Sequence, residues 1–205
     1  MLSIVIQAGG ESRRMGQDKA LLPLLGKPLV QWVIERISPL ADEVLVTTNR
    51  PEAYLVLGLP LYPDVIPGRG ALGGLYTALR AASQPLVAVV ACDMPFINVS
   101  LLGAERNLLI ASNVDLVIPH LEGGLEPFHA VYRREACLQE VEWALAADKW
   151  RVDSWFHRVR VHRMMPDEIQ VYDPDLLSFW NVNTPEDLQL AIQLASKDES
   201  GGSSG

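Results

Sequence analysis

Gln7-Ala8-Gly9-Gly10-Glu11-Ser12-Arg13-Arg14-Met15-Gly16-Gln17-Asp18-Lys19-Ala20 joins an apolar run, Met1 to Ile6, to the first helical pattern of the chain, at Pro28 to Leu40. The apolar run reads as a buried strand. The glycines and cations that follow therefore fall just outside the carboxyl end of a strand, where open α/β sheets bind ligands. Glycine lets backbone approach a polyphosphate closely, and loop amides can point at its oxygens. Arg13, Arg14 and Lys19 supply charge suited to a triphosphate. Two common phosphate motifs are excluded. Gly9, Gly10 and Gly16 do not fall on the dinucleotide fingerprint G-x-G-x-x-G, and Lys19 stands between Asp18 and Ala20 where a P-loop needs Gly before Lys and Ser or Thr after it. By itself the stretch is equally a tight surface turn, so the rest of the chain has to decide.

Working outward, strand-like runs alternate with helical patterns. Strands are expected at Leu2 to Ile6, Glu43 to Thr47, Pro85 to Ala91 and Asp115 to Pro119, with helices at Pro28 to Leu40, Leu72 to Ala82 and Ser100 to Ala111. This is the rhythm of parallel βαβ units, and Leu86-Val87-Ala88-Val89-Val90-Ala91 is continuously apolar, as a strand covered on both faces should be. After Pro119 the rhythm changes. Phe128 to Tyr132 reads as a strand, Glu135 to Ala147 as a helix, Val152 to His157 as a short helix and Val159 to Met164 as a strand. A closing helix runs from Thr184 to Ala195, with Thr184 as N-cap, Pro185 next and Asp187 close to a capping box. We expect a single-domain, Rossmann-like three-layer α/β/α fold with a mostly parallel sheet over residues 1–195, then a disordered polar tail over 196–205.

At 205 residues, 49% hydrophobic and 20% charged, the chain suits one soluble domain. A net charge of −8 argues against a nucleic-acid or membrane-surface binder, yet four of the 17 Lys and Arg residues lie between Arg13 and Lys27. Positive charge is focused locally, as a small anionic ligand requires. With neither a membrane-length apolar run nor a signal peptide, the protein is expected in the cytoplasm. Cys92 and Cys137 have no disulfide or zinc spacing and are expected to be reduced and buried.

Asp93, in Ala91-Cys92-Asp93-Met94-Pro95, follows the most buried strand and faces the ligand crevice of such a sheet. A carboxylate there can hold Mg²⁺ through oxygen, or it merely caps the turn into the helix at Ser100. Asp64 and Arg69 sit in a glycine-dense loop before a helix, and Asn49 ends the second strand, where its side chain can reach the rim. Among the histidines, His129 could line an acceptor site, but a satisfied structural role is simpler. Arg151, Arg158, Arg160 and Arg163 form a second basic group. Arg158 and Arg160 are expected to be solvated, whereas Arg151 and Asn183 are candidates for acceptor contact. Trp150 and Trp155 are expected to pack rather than stack on a ligand.

Jointly, QAGGESRRMGQDKALLPLLGKPLVQWV, DVIPGRGALGG, ACDMP, EPFHAVY and FWNVNTPEDL, in that order from Leu2 to about Ala195, resemble the molybdenum cofactor guanylyltransferases, within the nucleotide-diphospho-sugar transferase-like group. The resemblance implies transfer of GMP from GTP to the terminal phosphate of molybdopterin, with release of pyrophosphate and with Mg²⁺ as cofactor. It also implies transient contacts with other molybdenum cofactor proteins. Gln7, Ala8, Gly9 and Gly10 would meet the nucleotide largely through backbone, Lys19 its phosphates, Asn49 and Asp64 its nucleoside, and Asp93 both nucleotide and metal. Arg13, Lys19 and metal-bearing Asp93 would be the catalytic set. One position departs from the family's pattern, Gln7, where Leu is common. A cytidylyltransferase acting on molybdopterin or a sugar or polyol phosphate is the nearest alternative, and a catalytically idle nucleotide-binding protein is one of another class.

Overall fold

The computed structural model describes residues 1–8 and 18–201. Its elements, in chain order, are β1 (Leu2–Gln7), β2 (Pro23–Leu24), β3 (Lys27–Pro28), α1 (Leu29–Ile37), β4 (Glu43–Thr47), α2 (Pro51–Tyr54), β5 (Leu61–Tyr62), α3 (Gly70–Ala81), β6 (Leu86–Ala91), α4 (Val99–Ala111), β7 (Leu116–Leu121), β8 (Gly124–Leu125), β9 (His129–Arg133), α5 (Arg134–Ala146), β10 (Val161–Met164), α6 (Pro166–Ile169) and α7 (Pro185–Gly201). The main sheet has the order β10-β7-β9-β6-β1-β4-β5, with β8 attached to β7, while β2 and β3 form a separate pair.

All the main-path strands run parallel except β9, which is antiparallel to both β6 and β7. The reason lies in the connection. A parallel return needs a crossover of about a dozen residues or more, usually helical. Between β7 and β9 the chain holds only the β8 hairpin, turned at Glu122 and Gly123 and entered through Gly124 with φ 119°, so the returning strand must run the other way. The interruption expected after Pro119 is this reversed strand, the one antiparallel member of the main strand path, together with the short β8 that precedes it.

Alternation along β1 and β6 feeds a core on each face. Val5, Val87 and Val89 pack with Leu72, Leu75 and Leu79 of α3 and Val141 of α5. Ile4, Ile6, Ala88 and Val90 pack with Val30 and Val33 of α1 and Leu102 and Leu109 of α4. A strand apolar on both faces cannot settle at a sheet edge, which is why β1 and β6 are central. A smaller cluster, with Leu24, Trp32, Phe96, Val182 and Ala191, docks α7 beside α1.

Three local expectations change. Residues 152–157 form turns and then a one-turn 3-10 segment, Phe156–Arg158, rather than an α-helix. Helical backbone continues past Ala195 to Gly201. Trp155 is fully buried, but Trp150 is 59% exposed. The capping box of α7 forms, with Asp187 N donating to Thr184 Oγ1 at 3.1 Å and Thr184 N to Asp187 Oδ2 at 2.8 Å.

Candidate active site

β1 connects outward through α1 to β4, and the chain returns through α3 to β6 on the other side of β1. Because α1 and α3 cover opposite faces, a crevice opens outside the carboxyl ends of β1 and β6. Backbone bonds extend the register past the strands: Ala8 N donates to Thr47 O at 2.8 Å and Cys92 N to Gln7 O at 3.1 Å. Ala8, Asn49 and Asp93 thereby share one rim.

Gly9, Gly10 and Arg13 lie outside the described residues. Where the chain resumes, Asp18 Oδ1 accepts from Ala20 N at 3.3 Å and starts the one-turn segment Lys19–Leu21. The other carboxylate oxygen of Asp18 accepts from Arg50. Lys19 Nζ donates to Asn183 Oδ1 at 2.7 Å. Val182 N donates to the backbone oxygen of Asp93 at 3.0 Å, so the stretch leading into α7 is tied to the turn after β6. Lys19, Asp93 and Asn183, far apart in sequence, therefore meet at one end of the crevice.

Burial pushes the Asp93 carboxyl above its ordinary range, and the Lys19 ammonium pulls it back down. This carboxylate does not cap α4. That position belongs to Asn98, whose Oδ1 accepts from Ser100 N at 2.9 Å and Leu101 N at 3.2 Å. Cys92 beside it is inert as a nucleophile, since burial first and Asp93 second hold its thiol protonated.

At the other end of the rim, Asn49 and Asp64 hold each other. Asn49 Nδ2 donates to Asp64 Oδ2 at 2.8 Å, and Asp64 N donates to Asn49 Oδ1 at 3.0 Å. Next come Gly68 and Gly70, with φ of 78° and 55°, leading into α3. Arg69 between them donates to Asp148 at 2.6 Å and lies 4.8 Å over the Trp150 ring, pinning the loop after α5 to this rim.

Arg151 belongs to that loop and is paired with Asp153 at 2.8 Å. It lies on the α3 and α5 side, whereas Asn183 lies on the α1 and α7 side, so the two expected acceptor residues are not brought together. Arg160 is not merely solvated: it makes a forked bond to Asp115 at 2.8 and 2.9 Å. Arg158 pairs with Glu140 and lies 4.0 Å over Trp143. His129 is fully buried against Glu105 at 3.1 Å, with the Phe179 ring tilted against it at 4.7 Å, so it does not open on the rim. Sequence reasoning missed Arg50, the residue that fixes Asp18 next to Lys19. Its only signal was an Arg directly after Asn49 at a strand's end.

Among the described residues, no group of three His, Cys, Asp or Glu stands ready to hold a metal. Mg²⁺ normally takes one or two carboxylates and completes its octahedron with water and substrate phosphates. A partly sheltered Asp93 beside Lys19 fits an ion that arrives with a polyphosphate, not one resident in a protein cage.

A mainly parallel α/β sheet with a cation and a carboxylate outside its central strands suits a nucleotidyltransferase, and the comparisons show that class. The family model of the MobA-like NTP transferase domain matches residues 4–161, and the chain belongs to that family. It is 32% identical to a probable molybdenum cofactor guanylyltransferase of Peptoclostridium acidaminophilum, over 98% of this chain and 92% of that one. It is 37% identical to another from Chloroflexus aggregans, over 93% of each. The crystal structure of molybdopterin-guanine dinucleotide biosynthesis protein A from Archaeoglobus fulgidus superposes with a TM-score of 0.81 at 28% identity, covering 95% of this chain and 99% of that one.

Proposed function

We propose that this enzyme transfers GMP from GTP to the terminal phosphate of molybdopterin, forming a guanine dinucleotide cofactor and pyrophosphate in the cytoplasm. The meeting of Lys19, Asp93 and Asn183 outside the central strands carries the reading, and the names of the relatives supply base and acceptor. The glycine loops after β1 and before α3 would wrap the triphosphate, with Asn49 and Asp64 toward the nucleoside.

An oxygen of the acceptor phosphate attacks the α-phosphorus of GTP in line. One P–O bond forms to the acceptor, and the bond to the bridging oxygen breaks as pyrophosphate leaves. The acceptor phosphate is ionised near neutral pH, so no general base is needed. Lys19, with Arg13 from the loop, offsets charge gathering on the leaving group. Asp93 is the residue that would hold Mg²⁺, and the bound ion would neutralise phosphate charge. Asn183, as the partner of Lys19, orients that ammonium and stands next to where the acceptor must enter.

The test is thermal unfolding with GTP, CTP or ATP plus Mg²⁺, followed by pyrophosphate release when molybdopterin is added. A cognate triphosphate at about 100 times its dissociation constant adds roughly 2.7 kcal/mol of stability. We expect GTP to stabilise most and to be consumed with molybdopterin. An equal or larger shift with CTP defeats the guanylyl assignment, and no shift with any triphosphate defeats nucleotidyl transfer.

A further inference from the structure

Between α6 and α7 the chain passes the site as a connector, residues 173–183, which ends in Val182, bonded to the Asp93 backbone, and Asn183, bonded to Lys19. Its earlier residues are fastened to the segment that leaves Asp93, in antiparallel order. Ser178 Oγ accepts from Asn98 N at 3.0 Å, the Trp180 ring stacks on Phe96 at 5.7 Å and 15°, and Val182 N donates to Asp93 O at 3.0 Å. Each step of two along the connector meets a step of two or three back along residues 93–98. The two stretches are therefore zipped together from the start of α4 to Asp93.

The upstream end is a knot of sheltered polar groups. The Asp173 carboxylate is buried and accepts from Leu177 N at 3.2 Å and Ser178 N at 2.8 Å, while Asn98 Nδ2 donates to Tyr172 O at 2.8 Å. Leu176, inside the knot, has φ 55°, a left-handed backbone that a non-glycine residue keeps only where its neighbours hold it. Packing supports the connector less. A cleft of about 290 Å³ lies against it, with Phe96, Asn98, Asp173 and Leu177 in its wall. Apolar contacts are missing on that side, so the hydrogen bonds and the ring stack set the connector's position. Knot and zipper join at Ser178, which is fully buried: its N–H donates to Asp173 and its hydroxyl accepts from Asn98.

We infer that Ser178 is a positioning residue for the reaction, setting the connector so that Asn183 meets Lys19 beside the Asp93 turn; the inference rests on nucleotidyl transfer at that group as proposed above. The Lys19–Asn183 bond is exposed and competes with water, so by itself it does not fix where the two side chains stand. The zipper does, by holding the backbone that carries Asn183. Misplacing a group by about 1 Å is enough to slow a reaction severalfold or more, and the ammonium aimed at the leaving group is such a group. Ser178 acts only through Asn183, and that distinguishes it from a residue that merely keeps the domain folded.

The experiment is a double-mutant cycle on pyrophosphate release from GTP, Mg²⁺ and molybdopterin. Wild type, Ser178→Ala, Asn183→Ala and the double variant are compared at a temperature where circular dichroism shows all four folded. Ser178→Ala should lower kcat/KM by about 3- to 10-fold in the wild-type background, but by less than about 2-fold once Asn183 is alanine, because its route to Lys19 is then already cut. Loss through partial unfolding would be the same factor in both backgrounds. That result overturns the inference, as does Ser178→Ala with wild-type kinetics, and either leaves the proposed function standing. Should Ser178→Ala not fold, Trp180→Leu removes the stack on Phe96 from a half-buried position and runs through the same cycle, with the same expected and overturning results. A wild type that releases no pyrophosphate from GTP, CTP or ATP overturns the proposed function, and this inference with it.

Discussion

Lys19 donates a 2.7 Å hydrogen bond to Asn183 across 164 residues of sequence. The bond closes the gap between the one-turn segment Lys19–Leu21 and the stretch leading into α7, and it puts the ammonium beside the Asp93 turn, to which Val182 is also bonded. The two residues should differ in their contribution. Lys19→Ala removes a charge aimed at the leaving group and is expected to lower kcat/KM by about 100-fold or more. Asn183→Ala removes only a neutral partner and should cost about 5- to 10-fold. Because the bond is exposed, both variants should unfold within about 0.5 kcal/mol of wild type. Steady-state pyrophosphate release and urea titration check both halves.

Asp93 sets function against stability. Its carboxyl is held above the ordinary value by burial, so ionising it costs the folded state more than the unfolded one. That cost is absent at low pH and grows as pH rises through the usual carboxylate range to the raised value. Asp93→Asn removes the cost and should be as stable as wild type or more so at pH 7, yet lose the Mg²⁺-dependent part of GTP binding. In wild type, that part should fade on acidification at a higher pH than an ordinary aspartate would allow. Titration calorimetry with and without Mg²⁺ over acidic to neutral pH reads both effects.

Adjacent glycines in α3 should respond differently to alanine. At Gly73 a Cβ would stand 2.7 Å from Arg69 Cβ and 3.2 Å from the Ile66 backbone oxygen, neither of which can swing away. Gly73→Ala should therefore destabilise by about 1–3 kcal/mol despite the gain in helix propensity. At Gly74 the obstacle is the far end of the flexible Gln7 side chain. Gly74→Ala should be near neutral in stability, displacing the amide while gaining up to about 1 kcal/mol in helix propensity. Denaturant titration of the two variants side by side is decisive: equal losses would contradict the difference in obstacle.

The buried Glu105–His129 pair links α4 to β9. Burial opposes a charge on His129, but the Glu105 carboxylate, its hydrogen bond and Glu126 outweigh that, and the imidazole pKa is raised. Burial raises Glu105 too, with His129 pulling the other way. A raised histidine contributes stability that is fully present below its ordinary pKa and lost as pH climbs through the raised one. Wild type should thus lose stability between neutral and alkaline pH, and the double variant Glu105→Leu, His129→Phe should be flatter there. Glu105→Ala alone leaves the imidazole buried without its acceptor and should cost about 3–5 kcal/mol. Urea unfolding at pH 6 to 9 tests all three statements.

Much of this was legible along the chain because it is written locally. The apolar continuity of Leu86 to Ala91 marks a central strand whatever surrounds it, and Thr184, Pro185 and Asp187 announce a helix start through bonds spanning a few residues. The antiparallel β9 was less legible, since strand direction is set by the short connection through β8 and not by composition. Arg151 shows another limit of local reading. Its charge suggests a ligand, and only the structure shows that Asp153 two residues away pairs with it at 2.8 Å. Trp150 was read as packed because aromatics usually are, and only the placement of Arg69 shows why its ring can stay at the surface.

The sequence by itself determined the class of fold and put Gln7, Asn49 and Asp93 at or just past strand ends, because hydrophobic period and turn chemistry are properties of neighbouring positions. Tertiary structure decided which of those residues meet. Lys19 finds Asn183, Asn49 finds Asp64, and the Gln7 amide finds Gly74 only after parallel strands have brought their carboxyl ends to one rim. A side chain's partner is fixed by register and helix docking across the whole domain, and no local stretch of sequence contains that information.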